Sequence, residues 1–343
     1  MVSIDREYYP FILFLVIAIA ALVLFWPVMD AIIISASLAV VLMPFLDRLR
    51  THVRPVLSAV VITALLFIVI GAGAWLMVAV LRDNTGLIVQ MFSTIGSWIT
   101  SPSTHLDFFG ITISKTTLIA WLDRGNALFV NYWSTIASNI FLLIFKITAF
   151  FVVFFLLILH GEALRDHILC RLPGPVRAYC DKLMPVTVDT LYVIYIVQFA
   201  IAALTFFIAI PVFWLLGYGN ILFYSFFAAL CEVVPVLGSS VAFIIVGAYA
   251  LARGDITGVL IMFILGYFVV SALPEIYIRP VLVGRRVKIH PVIMFVGLIG
   301  GLVTLGLAGF VLGPLIIVLL IHSYEIWVEE RKCVGEPAGE SVS

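Results

Sequence analysis

The sequence predicts an all-α, polytopic integral membrane protein, with about six spanning helices, two broken re-entrant hairpins and amphipathic helices at the interface. Three observations carry that prediction. Of 343 residues, 64% are apolar and only 11% are Asp, Glu, Lys or Arg, against roughly 45–50% and 25% in a soluble domain. A soluble fold could neither hide that much apolar surface nor cover the rest with so few charges. The apolar residues gather into runs at 10–29, 31–46, 56–81, 138–159, 190–216, 221–252, 256–274 and 291–322, most of them close to or above the roughly 20 residues that span a hydrocarbon core. These runs are continuous rather than short and alternating, so helices and not a closed barrel satisfy the backbone in lipid. A soluble enzyme and a disordered or fibrous chain are excluded. The bilayer is a partner, whereas nucleic acid is not, because 19 basic residues balance 19 acidic ones without a dense patch.

The first run follows Asp5, Arg6 and Glu7 with no small-residue cleavage site after it, and reads as a retained span. Trp26-Pro27 and Asp30 separate it from the second run and predict a tight outer hairpin. Between 83 and 137 the chain is half polar, with Leu87, Ile88, Met91, Phe92, Ile95, Trp98 and Ile99 at helical spacing. That pattern predicts amphipathic helices lying at the membrane surface. Residues 161–189 carry Arg165, Arg171, Arg177 and Lys182 and read as further surface helices. The resulting division is 1–82, N-terminal spans; 83–137, extracytoplasmic segment; 138–189, a span with cytoplasmic surface helices; 190–325, transport core; and 326–343, polar tail.

Basic residues set the orientation. Arg48, Arg50 and Arg54 place their loop in the cytoplasm, which puts 83–137 outside and 161–189 inside. If 221–252 simply crosses, Arg279, Arg285, Arg286 and Lys288 fall outside, and the split is eleven basic residues inside against seven outside. If 221–252 turns back at Pro235–Ser240 and 291–322 at its Gly-rich centre, fourteen lie inside and four (Arg82, Lys115, Arg124, Arg253) outside. The second topology is the better one. It places both termini in the cytoplasm of a cell-membrane protein and flanks the span 256–274 with two opposed broken segments. Such segments point to a transporter's midplane site; the competing reading is a pair of kinked helices with glycines for packing.

Charges inside apolar runs are the candidate pathway residues. Glu232 lies three residues before Pro235, and a carboxylate in lipid costs at least about 2.5–3.5 kcal/mol, so it must be paired, protonated or hydrated. It is either a proton or cation site, or a cap on the next half-helix, or a partner for a lysine. Glu275 and Arg279 stand i, i+4 between Pro274 and Pro280, forming either an ion pair that supports the turn or a direct contact to solute. Gly238, Ser239, Ser240 and, at the second tip, Gly300, Gly301 and Thr304 supply exposed backbone and hydroxyls for a solute; for the serines, plain N-capping is the alternative. Pro280, Gly284, Pro291, Gly306, Gly309, Gly313 and Pro314 read as turn and packing residues. Lys146, the one base within a run, either snorkels outward or pairs with Glu232 or Asp30. Cys170, Cys180, Cys231 and Cys333 lack metal-ligand spacing and read as reduced thiols, and the histidines read as structural. No metal or cofactor motif, Walker loop or catalytic pair occurs, so the chain is not read as an enzyme, and transport would be gradient-driven or downhill.

Several stretches together resemble the autoinducer-2 exporter (AI-2E) family of transporters and permeases. They are Leu191-Tyr192-Val193-Ile194-Tyr195-Ile196-Val197-Gln198, Pro235-Val236-Leu237-Gly238, Glu275-Ile276-Tyr277-Ile278-Arg279-Pro280 with Gly284, His290-Pro291, Gly300-Gly301, and Gly306-Leu307-Ala308-Gly309-Phe310-Val311-Leu312-Gly313-Pro314. The order and spacing fit over about residues 5–325. The resemblance implies a secondary transporter exporting a small polar molecule of the quorum-signal type, working as a homo-oligomer, a pentamer being one such state. Cation/proton antiport with Glu232 as the titrating group is the alternative, and a non-transporting membrane scaffold is a third reading.

Overall fold

The computed structural model describes residues 9–51, 53–101, 107–108, 111–112, 116–120, 123–124, 127, 138–233, 238–283 and 291–335. They are helical almost throughout, with one two-residue antiparallel pair, Asp107–Phe108 against Ile111–Thr112. Six helical segments are long and apolar enough to cross a membrane: Leu13–Arg50, Pro55–Asp83, Ile140–Leu169, Gly174–Leu216, Ile256–Ile278 and Val292–Glu329. This is a multi-pass membrane protein.

Helix α1 (Tyr9–Phe25) passes into α2 (Met29–Arg50) through a single 3-10 turn, Trp26–Val28. The outer hairpin expected at Trp26–Asp30 is not formed, because neither residue that suggested it interrupts the helical path. Pro27 occupies the first turn of the 3-10 segment, where a missing N–H breaks nothing. Asp30 accommodates itself by accepting the Ala31 N–H at 2.8 Å. The following helices are α3 (Pro55–Asp83), α4 (Thr85–Thr100), α5 (Ile140–Leu169), α6 (Gly174–Tyr192), α7 (Gln198–Leu216), α8 (Ile221–Glu232), α9 (Ser240–Ala252), α10 (Ile256–Ile261), α11 (Arg279–Val283) and α12 (Pro291–Gly335). Helix α6 runs on into α7 through a wide π-type turn at Val193–Val197, and α10 reaches α11 through two more, Met262–Ala272 and Pro274–Ile278. Wider turns leave room for the Pro274 ring, which would clash with the carbonyl of a preceding α-helical turn.

The chain divides into two compact units: Met1–Thr63 with Ile144–Leu191 and Ile289–Ser343, and Ala64–Leu143 with Tyr192–Lys288. In the first, α2 and α5 run parallel. Lys146 Nζ binds Asp30 Oδ2 at 2.6 Å, Ser35 Oγ donates to the Phe150 carbonyl at 3.0 Å, and Arg50 binds Glu162 at 2.9 Å. The basic end of α2 and the polar end of α5 therefore share one side, as the charge count asks of two segments assigned to one compartment. Lys146 neither snorkels freely nor reaches Glu232; a bond to Asp30 recovers more in an apolar setting than a stretched stem would. Changing Lys146 to Met alone should destabilise the protein by about 1–3 kcal/mol, since Asp30 is left uncompensated. Adding Asp30→Asn should restore most of the loss, and thermal melts of both purified variants would show it.

Helix α12 doubles back. At Gly306 the backbone takes φ 61°, ψ −137°, which is non-helical and available to glycine. Beyond it the two arms lie against each other backbone to backbone: a Cβ on Gly301 would run into the carbonyl of Gly309, and one on Gly313 into the carbonyl of Gly297. The segment Val292–Glu329 thus has the length to cross but consists of two antiparallel arms. Helix α12 packs on α2, and Ala308, Val311 and Val318 of α12 are buried.

The second unit is built on a stack of rings. Phe213 of α7 stacks on Tyr224 of α8 at 5.3 Å and on Phe243 of α9 at 5.5 Å, between ring centroids. The apolar stripe of α4, Ile88, Met91, Ile95 and Ile99, is buried in this same core. The amphipathic helix is there, but its stripe is covered by the protein's own helices, α9 among them, and not by lipid.

Candidate functional site

Helices α8 and α9 have 12 and 13 residues, too few for either to span a core that takes roughly 20. They pack on each other and their outer ends meet. Tyr218, before α8, donates its hydroxyl to Asp255, after α9. The Arg253 guanidinium lies 5.0 Å from the Tyr218 ring and 5.6 Å from the Tyr249 ring. The chain therefore enters and leaves 221–252 at the same end. The opposite end is a tip, of which residues 234–237, including Pro235, lie outside the described residues.

The latch at the outer end has a legible pH response. Burial, then the bond to Asp255, raises the Tyr218 phenol above its ordinary value; the Tyr218 hydroxyl, then the Gly258 N–H at 2.9 Å, lowers the Asp255 carboxyl below its own. Tyr218 thus stabilises at pH below about 10 and loses this as pH rises through its folded value, while Asp255 stabilises above about 3.9 and loses this as pH falls through its folded value. The latch should therefore hold evenly across the range between them. Tyr218→Phe should lower the thermal midpoint by the same amount at pH 6 and pH 8, which parallel melts would check.

At the tip, Glu232 is the last residue of α8 and fully buried, 0% exposed. Its Oε2 accepts the backbone N–H of Ser239, the residue that opens α9, at 2.7 Å. Gly238, at φ 51°, makes this possible: a Cβ there would stand 3.1 Å from the carboxylate oxygen. The Ser239 hydroxyl does not cap its own helix but meets the Ser271 hydroxyl at 2.8 Å. Glu232 Oε1 has no hydrogen-bond partner among the described residues. The leading amide of α9, which the sequence offered to a solute, is already taken by the carboxyl group.

Gln198 lies beside Glu232 and is 3% exposed. Its Nε2 donates to the main-chain carbonyl of Glu232, and its Oε1 accepts from Arg279 Nη1 at 3.0 Å. Arg279 spends its other nitrogens on Glu275, Nε on Oε2 and Nη2 on Oε1 at 2.9 Å. The two-point fork suits a guanidinium and a carboxylate. One polar chain thus runs Glu275–Arg279–Gln198–Glu232–Ser239–Ser271, all in the second unit. Wide turns position three of its members: Val193–Val197 immediately precedes Gln198, Met262–Ala272 carries Ser271, and Pro274–Ile278 carries Glu275. π-type turns are rare and recur at functional sites.

Of the residues singled out by sequence, Glu232, Gly238, Ser239, Glu275 and Arg279 come together, and Ser240 is half-buried in the first turn of α9. Gly300, Gly301, Thr304, Gly306, Gly309, Gly313 and Pro314 belong to the other unit. There Thr304 Oγ is exposed and donates to the Gly300 carbonyl at 2.9 Å. Pro280 lies in α11 and Pro291 opens α12, while Gly284 is outside the described residues. Gln198 and Ser271 were missed. A buried amide within an apolar run was the available signal for Gln198; Ser271 carried none.

A family model described as AI-2E family transporter matches residues 12–329. The chain is 23% identical over 319 residues to the "Putative transport protein MJ1177" of Methanocaldococcus jannaschii, covering 92% of this chain and 94% of that one. It is 28% identical over 180 residues to a "Putative transport protein" of Methanothermobacter thermautotrophicus, 52% of this chain and 53% of the relative. One from Pyrococcus horikoshii is 34% identical over 79 residues, 23% of this chain and 22% of the relative. The match takes in both doubled-back segments and every member of the polar chain, and with it this protein belongs to the AI-2E family of transporters.

Proposed function

We propose that this chain is a secondary transporter that moves a small polar solute across the cell membrane, driven by an ion gradient or downhill. In this reading the polar chain from Glu275 to Ser271 lies on the solute or ion pathway. The observation that carries it is the Glu232 carboxyl: wholly buried at a helix break, one oxygen bonded and the other without a partner among the described residues. Burying an ionisable group in an apolar segment is expensive, and such groups mark pathways. The doubled-back segments 221–252 and 291–322 re-enter the bilayer in this reading, with the C-terminus in the cytoplasm; the cytoplasmic N-terminus expected from the charge count needed the Trp26–Asp30 hairpin, which is not formed. Irregular backbone at that depth survives only where protein or a water-filled cavity surrounds it. Family membership supports transport over the scaffold reading.

Cation/proton antiport is the second reading, favoured by the same unpartnered carboxyl oxygen. Purified protein in vesicles decides between them. A panel of labelled small polar solutes, with and without a proton gradient, should give flux of at least one solute above empty vesicles under the first reading. Cation-induced dequenching of an internal pH dye, without solute flux, would give the second. Neither signal from folded protein would end the transport reading.

A further inference from the structure

Arg253 is the residue that ends α9, three positions before the span Ile256–Ile278, and it is exposed. Its guanidinium lies over two rings, those of Tyr218 and Tyr249. The rings stand edge to face, with centroids 6.0 Å apart and planes at 89°, so they form a corner that holds the planar cation. Neither ring is free to drift: Tyr249 is buried, and the Tyr218 hydroxyl is bonded to Asp255. Stacking on aromatic rings uses the flat face of a guanidinium and leaves its in-plane N–H groups unused. Asp255, two residues on, does not take them. Its Oδ2 accepts the Tyr218 hydroxyl and its Oδ1 the Gly258 N–H. Among the described residues no carboxylate lies within ion-pairing distance of Arg253, and its side chain makes no hydrogen bond.

The surroundings of this fixed cation are those of a lipid contact. Trp214, in the last turn of α7, and Ile256, which opens α10, are both exposed. Helix α10 packs on α7, and the Tyr218–Asp255 bond ties together the loops that follow α7 and α9. All of these residues therefore gather at one end of the second unit, where the span Ile256–Ile278 begins. Exposed Trp beside Tyr and Arg at the end of a span marks the depth of the headgroups. We infer that Arg253, seated on its two rings, binds the phosphate of an anionic phospholipid, with Trp214 and Ile256 against the acyl chains. A guanidinium fork matches two phosphate oxygens at once. A phosphate diester without an ammonium of its own leaves those oxygens free, which selects an anionic lipid over a phosphocholine. The bound lipid anchors the base of the α8–α9 hairpin in the headgroup layer. It is separate from any transported solute, so the site stands whether or not the chain transports.

A lipid titration of the purified full chain in uncharged detergent tests this, because a bound lipid raises the thermal midpoint as its site fills. Short-chain phosphatidylglycerol should half-saturate the rise at a lower concentration than phosphatidylcholine with the same acyl chains. Arg253→Met, which keeps the stem and loses the fork, should raise the half-saturating concentration of phosphatidylglycerol at least about tenfold. Arg253→Lys, which keeps the charge and loses the fork, should raise it less, and it carries the test if Arg253→Met does not fold. Arg82, an exposed base of the same unit beside Asp83, is the control, and Arg82→Met should leave the titration unchanged. Parental affinity in either folded Arg253 variant would overturn the inference. So would an equal loss in Arg82→Met, which would mean diffuse charge attraction, or equal affinity for the two lipids. Inorganic phosphate should not raise the midpoint; a rise with it that Arg253→Met abolishes would make this a site for a soluble anion and remove the lipid.

Discussion

Valine at position 309 should destabilise the protein by about 3 kcal/mol or more, the largest loss expected from any single replacement of a described glycine. The reason is what a Cβ would strike. At Gly309 it meets the carbonyl oxygen and carbon of Gly301, which are backbone atoms and cannot rotate away. The arms of α12 would have to separate, and the neighbouring contacts of Gly297 with Gly313 would go with them. Apolar burial cannot compensate in lipid, where tails are as apolar as the lost partner and van der Waals contact is what holds helices together. Gly300→Ala is the matched control, because a Cβ there meets nothing within 4 Å. It should be neutral, or slightly stabilising through helix propensity. Melts of both purified variants test the pair; a Gly309→Val protein as stable as the parent would mean that the arms are not in contact.

Glu232→Gln should lower gradient-driven flux by at least about tenfold while leaving the thermal midpoint unchanged or raised. The amide is nearly isosteric and its oxygen can still accept the Ser239 N–H, so the helix cap survives. What disappears is the ability to change charge, together with the cost of burying a carboxylate, which on insertion scales is at least about 2.5–3.5 kcal/mol. Falling activity with undiminished stability is the signature of a group kept for function. Full flux in Glu232→Gln vesicles would remove Glu232 from the mechanism and leave it as a capping group, the role its Ser239 bond already performs.

Some of this was open to reading in one dimension. Glu232, Glu275, Arg279 and Lys146 stand out because a charge within an apolar run is visible from its immediate neighbours. The i, i+4 spacing of Glu275 and Arg279 even announces their ion pair, which the structure shows. Gln198 stands out less, since a neutral amide carries no charge that demands a partner, and its partners at 232 and 279 lie 34 and 81 residues away. The competing fates of Lys146 were equally undecidable, because Asp30 is 116 residues distant. The amphipathic pattern of α4 is legible in the sequence but what covers its stripe is not, as periodicity records that a face is apolar and not what lies on it.

The sequence by itself determined the solvent, the helical class and the two places where long apolar runs break. Each of these follows from local composition: hydrocarbon demands internally bonded helices, and prolines and glycines within a run, as at Pro235–Ser240 and in the glycine-rich centre of 291–322, predict a break there, which the structure puts at Gly306 in the second. Only the tertiary structure decided which polar groups share a site. Partner choice depends on where turns widen and how closely helices approach, as at Val193–Val197 before Gln198 and between Gly301 and Gly309. Those distances are set by the packing of side chains remote in sequence, and no local pattern contains them.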